Sequence, residues 1–249
     1  MSDLAWWLIL SIVLTFFLAG MVKGVTGMGL PTVAMGLLGA FMAPVAAAAL
    51  LIVPSFVTNV WQLASGPSLA ALVSRLWLMM LGIMLGTIAS SSVLASNNTR
   101  WTTAGLGAAL VIYAGFTLLA RQLSVPARLE KWLSPLVGLI TGAVTGGTGV
   151  FVIPAVPYLQ ALGLSKDDLI QALGLSFTVS TIALAVGLTW RGAFQLDSLA
   201  MSSLAIVPAM AGMWCGQAIR QKVRPTTFRR WFLICLLLLG IELTLRSFL

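Results

Sequence analysis

Apolar runs follow one another along the chain with little between them. They fall at roughly 4–22, 30–43, 47–65, 74–95 and 101–120, then at roughly 133–145, 149–163, 168–190, 196–220 and 230–248. Each run is continuously apolar rather than alternating, which predicts membrane helices and argues against the strands of a β-barrel. The stretch from Arg121 to Lys131, with Pro126 and several charges, separates the two sets. The sequence therefore predicts one all-α, polytopic membrane domain over 1–249, with a first repeat at 1–122, a linker at 123–132 and a second repeat at 133–249.

The two sets match in detail. Gly20-xxx-Gly24 parallels Gly138-xxx-Gly142, Val25-Thr26-Gly27 parallels Val144-Thr145-Gly146, and Ser55 and Asn59 parallel Ser176 and Ser180. Gly82-xxx-Gly86 parallels Gly212-xxx-Gly216, and Arg100-Trp101 parallels Arg230-Trp231. The offset drifts from 118 to 130, as small insertions in the second copy produce.

Each copy has an apolar run broken by glycines, threonines and a following proline. These are Gly20 to Pro31 and Gly138 to Pro154. Paired breaks at corresponding points of two repeats are the sequence pointer to a transporter's binding site. If each broken run crosses the membrane once, the basic residues divide six against seven between the two faces, which is no bias. If each is a hairpin returning to its starting side, one face collects Arg75, Arg121, Arg128, Lys131, Lys166, Arg220, Lys222, Arg224, Arg229 and Arg230. Only Arg100, Arg191 and Arg246 remain on the other. The positive-inside rule selects this division. It predicts two inverted repeats, each a broken helical hairpin plus three transmembrane helices. Both termini then lie outside and the basic loops in the cytoplasm. The second hairpin's arms, about 13–15 residues, reach only about 20 Å, which predicts a turn at Thr145–Gly149 inside the membrane.

Composition narrows the function. The chain is 59% hydrophobic and 8% charged, too few charges to wet the surface of a soluble fold. Its net charge of +8 sits in short loops, as cytoplasmic loops do, so nucleic acid is not an expected partner. Histidine is absent, and Cys215 and Cys235 lie apart in apolar runs, so neither a metal site nor a cofactor is expected. Met1-Ser2-Asp3 offers no positive region of the kind that opens a secretory signal, so residues 4–22 are expected to be retained.

The candidate binding residues cluster at the breaks. Gly27, Gly29, Gly146, Gly147 and Gly149 permit backbone N–H groups to face a shared cavity, and Thr26, Thr145 and Thr148 add hydroxyls. New helices begin just after the breaks, and helix N-termini favour anions. From two inverted copies, two such N-termini are expected to converge near the midplane. Helix packing by small residues is the competing use of these glycines. Lys23 is the one cation at a break. Neutralising a bound anion and snorkelling to the inner surface are both open for it. Ser55, Thr58, Asn59 and Gln62 form a polar stripe on one helix face, with a weaker counterpart in Ser176, Ser180 and Thr181. Such stripes avoid lipid and either line the pathway or bond neighbouring helices, with Asn59 and Gln62 favoured for the pathway. Lys166-Asp167-Asp168 marks a helix start. Glu242 and Arg246 are spaced for an ion pair near the outer surface.

The paired Thr-Gly breaks, each followed by a proline, resemble the TauE/SafE sulfite-exporter family, also called the toluenesulfonate uptake permeases. So does the run from Gly142 to Pro154 with Gly163-Leu164-Ser165 after it. Met28 and Leu30 interrupt the family's glycine-richer pattern in the first copy. The resemblance implies transport of sulfite, sulfonates, thiosulfate or related organic anions. The residues lead independently to a secondary transporter of a small anion in the plasma (inner) membrane, since no acid lies at a segment centre as a cation carrier requires. Expected partners are the anion, membrane lipids and a coupling ion, H⁺ or Na⁺. An anion channel, a membrane-embedded enzyme and a lipid-binding scaffold are the alternatives, and an enzyme lacks visible catalytic groups.

Overall fold

The computed structural model describes residues 2–96, 98–119, 124–194, 196–220 and 225–248. Arg121, Lys222 and Arg224, three of the ten residues counted on the basic face, lie outside these. So does the end of the first repeat at 122. Among the described residues all regular structure is helical. In chain order the helices are α1 (Ser2–Thr26), α2 (Leu30–Gly39), α3 (Pro44–Ala64), α4 (Leu69–Leu94), α5 (Thr99–Leu119), α6 (Ala127–Thr148), α7 (Ala155–Ala161), α8 (Lys166–Trp190), α9 (Leu196–Leu204), α10 (Ile206–Arg220) and α11 (Pro225–Arg246). Six spans are long and apolar enough to cross a membrane: Trp6–Thr26, Pro44–Ala64, Leu69–Leu94, Thr99–Leu119, Lys166–Trp190 and Leu199–Arg220.

Local chemistry sets the boundaries. α1 ends at Gly27 and α6 at Gly149, both in the left-handed region at φ 79° and 73°. Glycine adopts that conformation without the Cβ clash that penalises other residues. Pro31 and Pro44 sit in the opening turns of α2 and α3, where a missing N–H costs nothing. Ser165 caps α8 by accepting the Asp168 N–H at 3.1 Å, so the helix starts where Lys166-Asp167-Asp168 indicates. Pro54 lies inside α3 and cannot bond the Leu50 carbonyl. The Ser202 hydroxyl takes that carbonyl at 2.7 Å and accepts the Val53 N–H at 3.0 Å.

Apolar side chains fill the core and also cover the outside, and a set of polar side chains is buried among them. Trp7, Leu85, Val207 and Leu238 are exposed, whereas Lys23, Ser55, Thr58, Asn59, Ser176 and Ser180 are buried. An apolar exterior around a polar interior suits lipid as the solvent.

The helices pack mainly as α1 with α10, α4 with α6, α3 with α8, and α5 with α11. Glycines permit the first two. A Cβ on Gly20 would collide with the Ala209 backbone and one on Gly24 with that of Met213, so α1 and α10 run parallel. Gly82 meets Pro135, and Gly86 meets Leu139 and Ala143, so α4 and α6 also run parallel. The other two pairs are antiparallel. Ser55 faces Thr181 while Gln62 reaches Ile170 across α3 and α8. Trp101 stacks edge-on against Phe248 while Gly107 lies against Gly240 across α5 and α11. α2 runs alongside α11 in the same direction, with Gly29 at Phe232 and Gly39 at Leu243. The Val125 N–H donates to the Ala161 carbonyl at 2.9 Å, so the chain returns after α6 to the side from which α6 began. One end of the bundle, the basic face, therefore carries the ends of α3, α5, α7 and α10. The other, the terminal face, carries the ends of α2, α4, α8 and α11.

Three sequence expectations change. The second turn is not Thr145–Gly149: Gly146 and Gly147 lie inside α6, and the turn is at Gly149. Gly146 is spent on packing, where a Cβ would collide with the Thr87 carbonyl and Ser90. The arm is also longer than expected. α6 begins at Ala127, six residues before the apolar run, and its 22 residues reach about 33 Å. Lastly, the two breaks do not converge at one point. Thr148 lies against Gly105 and the Tyr113 hydroxyl bonds the Met28 sulfur, both on α5. Eight residues of α5 separate those levels, about 12 Å. In addition, α7 has only seven residues and starts after a non-helical stretch, so the second break presents no helix N-terminus directly.

Candidate functional site

The two breaks share a hydrogen-bonded turn. Thr26 Oγ1 donates to the Val22 carbonyl at 2.9 Å and accepts the Met28 N–H at 3.3 Å. Thr148 Oγ1 donates to the Val144 carbonyl at 2.7 Å and accepts the Val150 N–H at 3.2 Å. Thr26-Gly27 thus corresponds to Thr148-Gly149, not to Thr145-Gly146. Along the packed glycines, however, Gly20 and Gly24 correspond to Gly138 and Gly142, which meet Met79 and Ile83 as the first pair meets Ala209 and Met213. The second break therefore comes one helical turn later along its helix than the first. The hydroxyls of Thr26 and Thr148 are committed to these turns. Thr145 is fully buried and donates to the Thr141 carbonyl at 2.8 Å.

Lys23 is the centre of the polar interior. It sits on α1, one turn before the break, and is 3% exposed. Its ammonium donates to Thr58 Oγ1 at 3.1 Å and to Asn59 Oδ1, both on α3. Asn59 in turn donates to Ser55 Oγ at 3.1 Å and Thr181 Oγ1 at 3.5 Å. Ser55 and Thr181 lie 3.3 Å apart across the α3–α8 crossing. Three helices thus meet through one polar network around a single lysine. The only ion pair among the described residues is Arg75–Glu130, so Lys23 has no carboxylate partner there. A buried cation with only neutral partners carries an unrepaid desolvation cost.

Gln62 links this network to the first break, donating to the Gly27 carbonyl at 2.9 Å and the Ile170 carbonyl at 2.8 Å. It holds the turn against α8. Ser176 and Ser180 are buried, and their hydroxyl oxygens have no partner. They occupy on α8 the places of Ser55 and Asn59 on α3. Gly29, at φ 104°, precedes α2, and Gly147 lies on α6 with nothing closer than 4.0 Å to an added Cβ.

The sequence-predicted residues therefore divide. Lys23 and Asn59 share one network. Gln62, Gly27 and Thr26 adjoin it. Gly146, Gly147, Thr148 and Gly149 belong to the second break, on the far side of α5's eight-residue step. Thr58 and Thr181 were visible in the polar stripes and complete the network. Gln171 was not singled out. It accepts the Ser68 N–H at 2.8 Å and donates to the Leu63 and Gly66 carbonyls at 2.8 and 2.9 Å, closing the end of α3. Its sequence signal is a glutamine inside an otherwise apolar helix. The Glu242–Arg246 pair is not formed, because Arg246 donates to the Ala40 carbonyl at 2.7 Å. No group of three or more metal-ligating side chains occurs among the described residues.

No curated protein and no solved structure matches the chain. The family model described as sulfite exporter TauE/SafE matches residues 12–243, nearly all of its length. That match, the crossing helices and the polar interior agree: the chain belongs to the TauE/SafE sulfite exporter family, whose members are membrane transporters rather than enzymes.

Proposed function

We propose that this protein is a secondary transporter for a sulfur oxyanion or sulfonate (sulfite-, sulfoacetate- or thiosulfate-like), bound beside Lys23 and moved by alternating access. The observation that carries the proposal is Lys23, an ammonium buried among neutral partners with no carboxylate at hand. A bound anion would supply the missing charge. Thr58, Asn59, Ser55 and Thr181 would orient its oxygens, and the unpartnered Ser176 and Ser180 offer two further donors. The turns at Gly27 and Gly149 flank this region. They act as the joints at which α2 and the 150–161 arm change position, rather than as two converging N-termini.

The two halves act as inverted repeats. The antiparallel α3–α8 and α5–α11 pairs support this, as does the return of the chain at Val125–Ala161. With the basic face in the cytoplasm, both termini lie outside the plasma membrane. Proton or sodium coupling acts through groups other than an intramembrane carboxylate.

The test is uptake of radiolabelled sulfite, thiosulfate and sulfoacetate by liposomes containing the purified protein, alongside Lys23→Met. Saturable uptake accelerated by the same anion inside, and lost in the variant, is expected. Uptake without such acceleration identifies a channel, and uptake indifferent to Lys23→Met removes the site.

A further inference from the structure

Arg100-Trp101 and Arg230-Trp231, corresponding pairs in the two halves, have no part in the site around Lys23. Each begins the last helix of its half or lies in its opening turns, and Arg100 lines a cavity. On the terminal face a cavity of about 370 Å³ opens between the α2–α3 connection, the start of α5 and the end of α11. Arg100, Arg246, Thr99, Thr103 and Ser247 line it. Arg100 Nε donates to the Ser247 carbonyl at 2.7 Å, and its guanidinium lies 5.5 Å from the Phe248 ring centre. Arg246 Nη1 donates to the Ala40 carbonyl. These contacts fix both side chains and leave most of their N–H groups uncommitted among the described residues. No carboxylate pairs with either arginine there. On the opposite, basic face Arg230 lies on an open face of α11 beside Thr227, Trp231 and Ile234.

We propose that the cavity holding Arg100 and Arg246 is a second anion site, a receiving chamber for a small oxyanion at the terminal face. Two guanidiniums held by backbone carbonyls present planar arrays of donors, a geometry suited to the oxygens of a sulfur or phosphorus oxyanion. From Ala40 at the cavity wall, α2 leads over eleven residues, about 16 Å, to the Gly29 end of the first break. The chamber thus lies at one end of the arm whose other end adjoins the Lys23 network. Its role as a waiting position rests on the transport reading above, but its capacity to bind an oxyanion does not.

The experiment measures binding of inorganic sulfate to the purified full chain in nanodiscs of neutral phosphatidylcholine, with melting temperature and size-exclusion profile as fold controls. A Lys23→Met background silences the proposed central site, so the result does not depend on that site. Sulfate binding is expected to persist in Lys23→Met and to weaken roughly tenfold or more on adding Arg100→Gln and Arg246→Gln. Adding Arg100→Lys and Arg246→Lys instead is expected to keep part of it, which separates lost charge from lost fold. Lys23→Met protein that binds no sulfate, or a glutamine pair that binds it unchanged, overturns the proposal. Discs containing phosphatidylglycerol resolve the other source of the same chemistry. If that lipid blocks sulfate at concentrations where neutral lipid does not, the occupant is a lipid phosphate, and a receiving chamber for the free anion is refuted.

Discussion

The most informative perturbation is to give Lys23 a permanent counter-charge. Asn59→Asp is nearly isosteric and places a carboxylate where the Asn59 amide oxygen already accepts from the ammonium. Two opposite effects follow. The fold gains, because a buried charge with neutral partners becomes a buried pair. A hydrogen bond to a charged partner contributes about 1.5–3 kcal/mol. Against this stands the loss of the amide's donation to Ser55 and Thr181, about 1 kcal/mol, since either hydroxyl can rotate to donate instead. The net is a gain of about 0.5–2 kcal/mol and a higher melting temperature. Transport loses, because the substrate anion must now compete with a tethered carboxylate. Lys23→Met removes the cation altogether. Losing a charged hydrogen bond of about 1.5–3 kcal/mol weakens anion binding by at least roughly tenfold.

The assay is a melting curve and an uptake titration on the same purified preparations. Misfolding lowers stability and transport together, whereas a more stable Asn59→Asp that does not transport is specific to the charge. An Asn59→Asp variant with wild-type uptake, or a Lys23→Met variant with wild-type apparent affinity, would refute the assignment of Lys23 to the anion.

Three further outcomes test the frame around the site. Gly149→Ala should cost about 1–2 kcal/mol, from its φ of 73° and a Met35 methyl 2.7 Å from the new Cβ; Gly147→Ala, with open space and helical backbone, should be neutral or stabilising in the same melting assay. Gln171→Leu strands the Ser68 N–H and two carbonyls at the end of α3, so about 2 kcal/mol or more should be lost and limited proteolysis should open the 65–68 connection. Single cysteines at Ser68 and Ser165, in a background lacking Cys215 and Cys235, should react with an impermeant maleimide from one face, and one at Ser96 from the other. Labelling Ser68→Cys and Ser165→Cys from opposite faces would mean that the second broken run crosses the membrane once.

The sequence made the helices legible because lipid imposes a simple rule, continuous apolar length, and nine of the eleven helices each fall on one expected run. The exception is instructive. The run at 196–220 is split at Ala205 into α9 and α10, and its mark is Pro208 in the opening turn of α10, which cannot donate to the Leu204 carbonyl. The polar stripe on α3 was legible because Ser55, Thr58, Asn59 and Gln62 recur at helical spacing in an apolar background. What it bonds was not. Lys23 meets Thr58 and Asn59 from a helix more than thirty residues away, and only packing decides that. The turn at Gly149 was misplaced because Gly146, Gly147 and Gly149 are equivalent as letters. Two of them remain helical while the third takes the left-handed conformation, a choice set by where Thr148 can accept the Val150 N–H.

The one-turn difference between the halves bears on how the site became chemically one-sided. In the first half the helix breaks soon after Gly24, and Lys23 sits at the last full turn, facing Asn59. In the second half, packing aligns Lys23 with Thr141, whereas the turn aligns it with Thr145; both are threonines, fully buried, each bonded to a carbonyl of its own helix. Asn59 has its counterpart in Ser180, whose hydroxyl has no partner. A duplicated scaffold with a lysine in each half would bury two positive charges within a short distance, and their repulsion would add to two desolvation costs. Replacing one by a threonine leaves a single charge for the anion to meet. Ser180, on α8, remains buried without a partner. On this reading the repeats share the mechanics of the turns, while the charge that recognises the anion belongs to the first half alone. A Thr141→Lys or Thr145→Lys variant should therefore fold poorly without anion and gain stability steeply with sulfate, and a variant equally stable with and without sulfate would count against charge as the reason for the asymmetry.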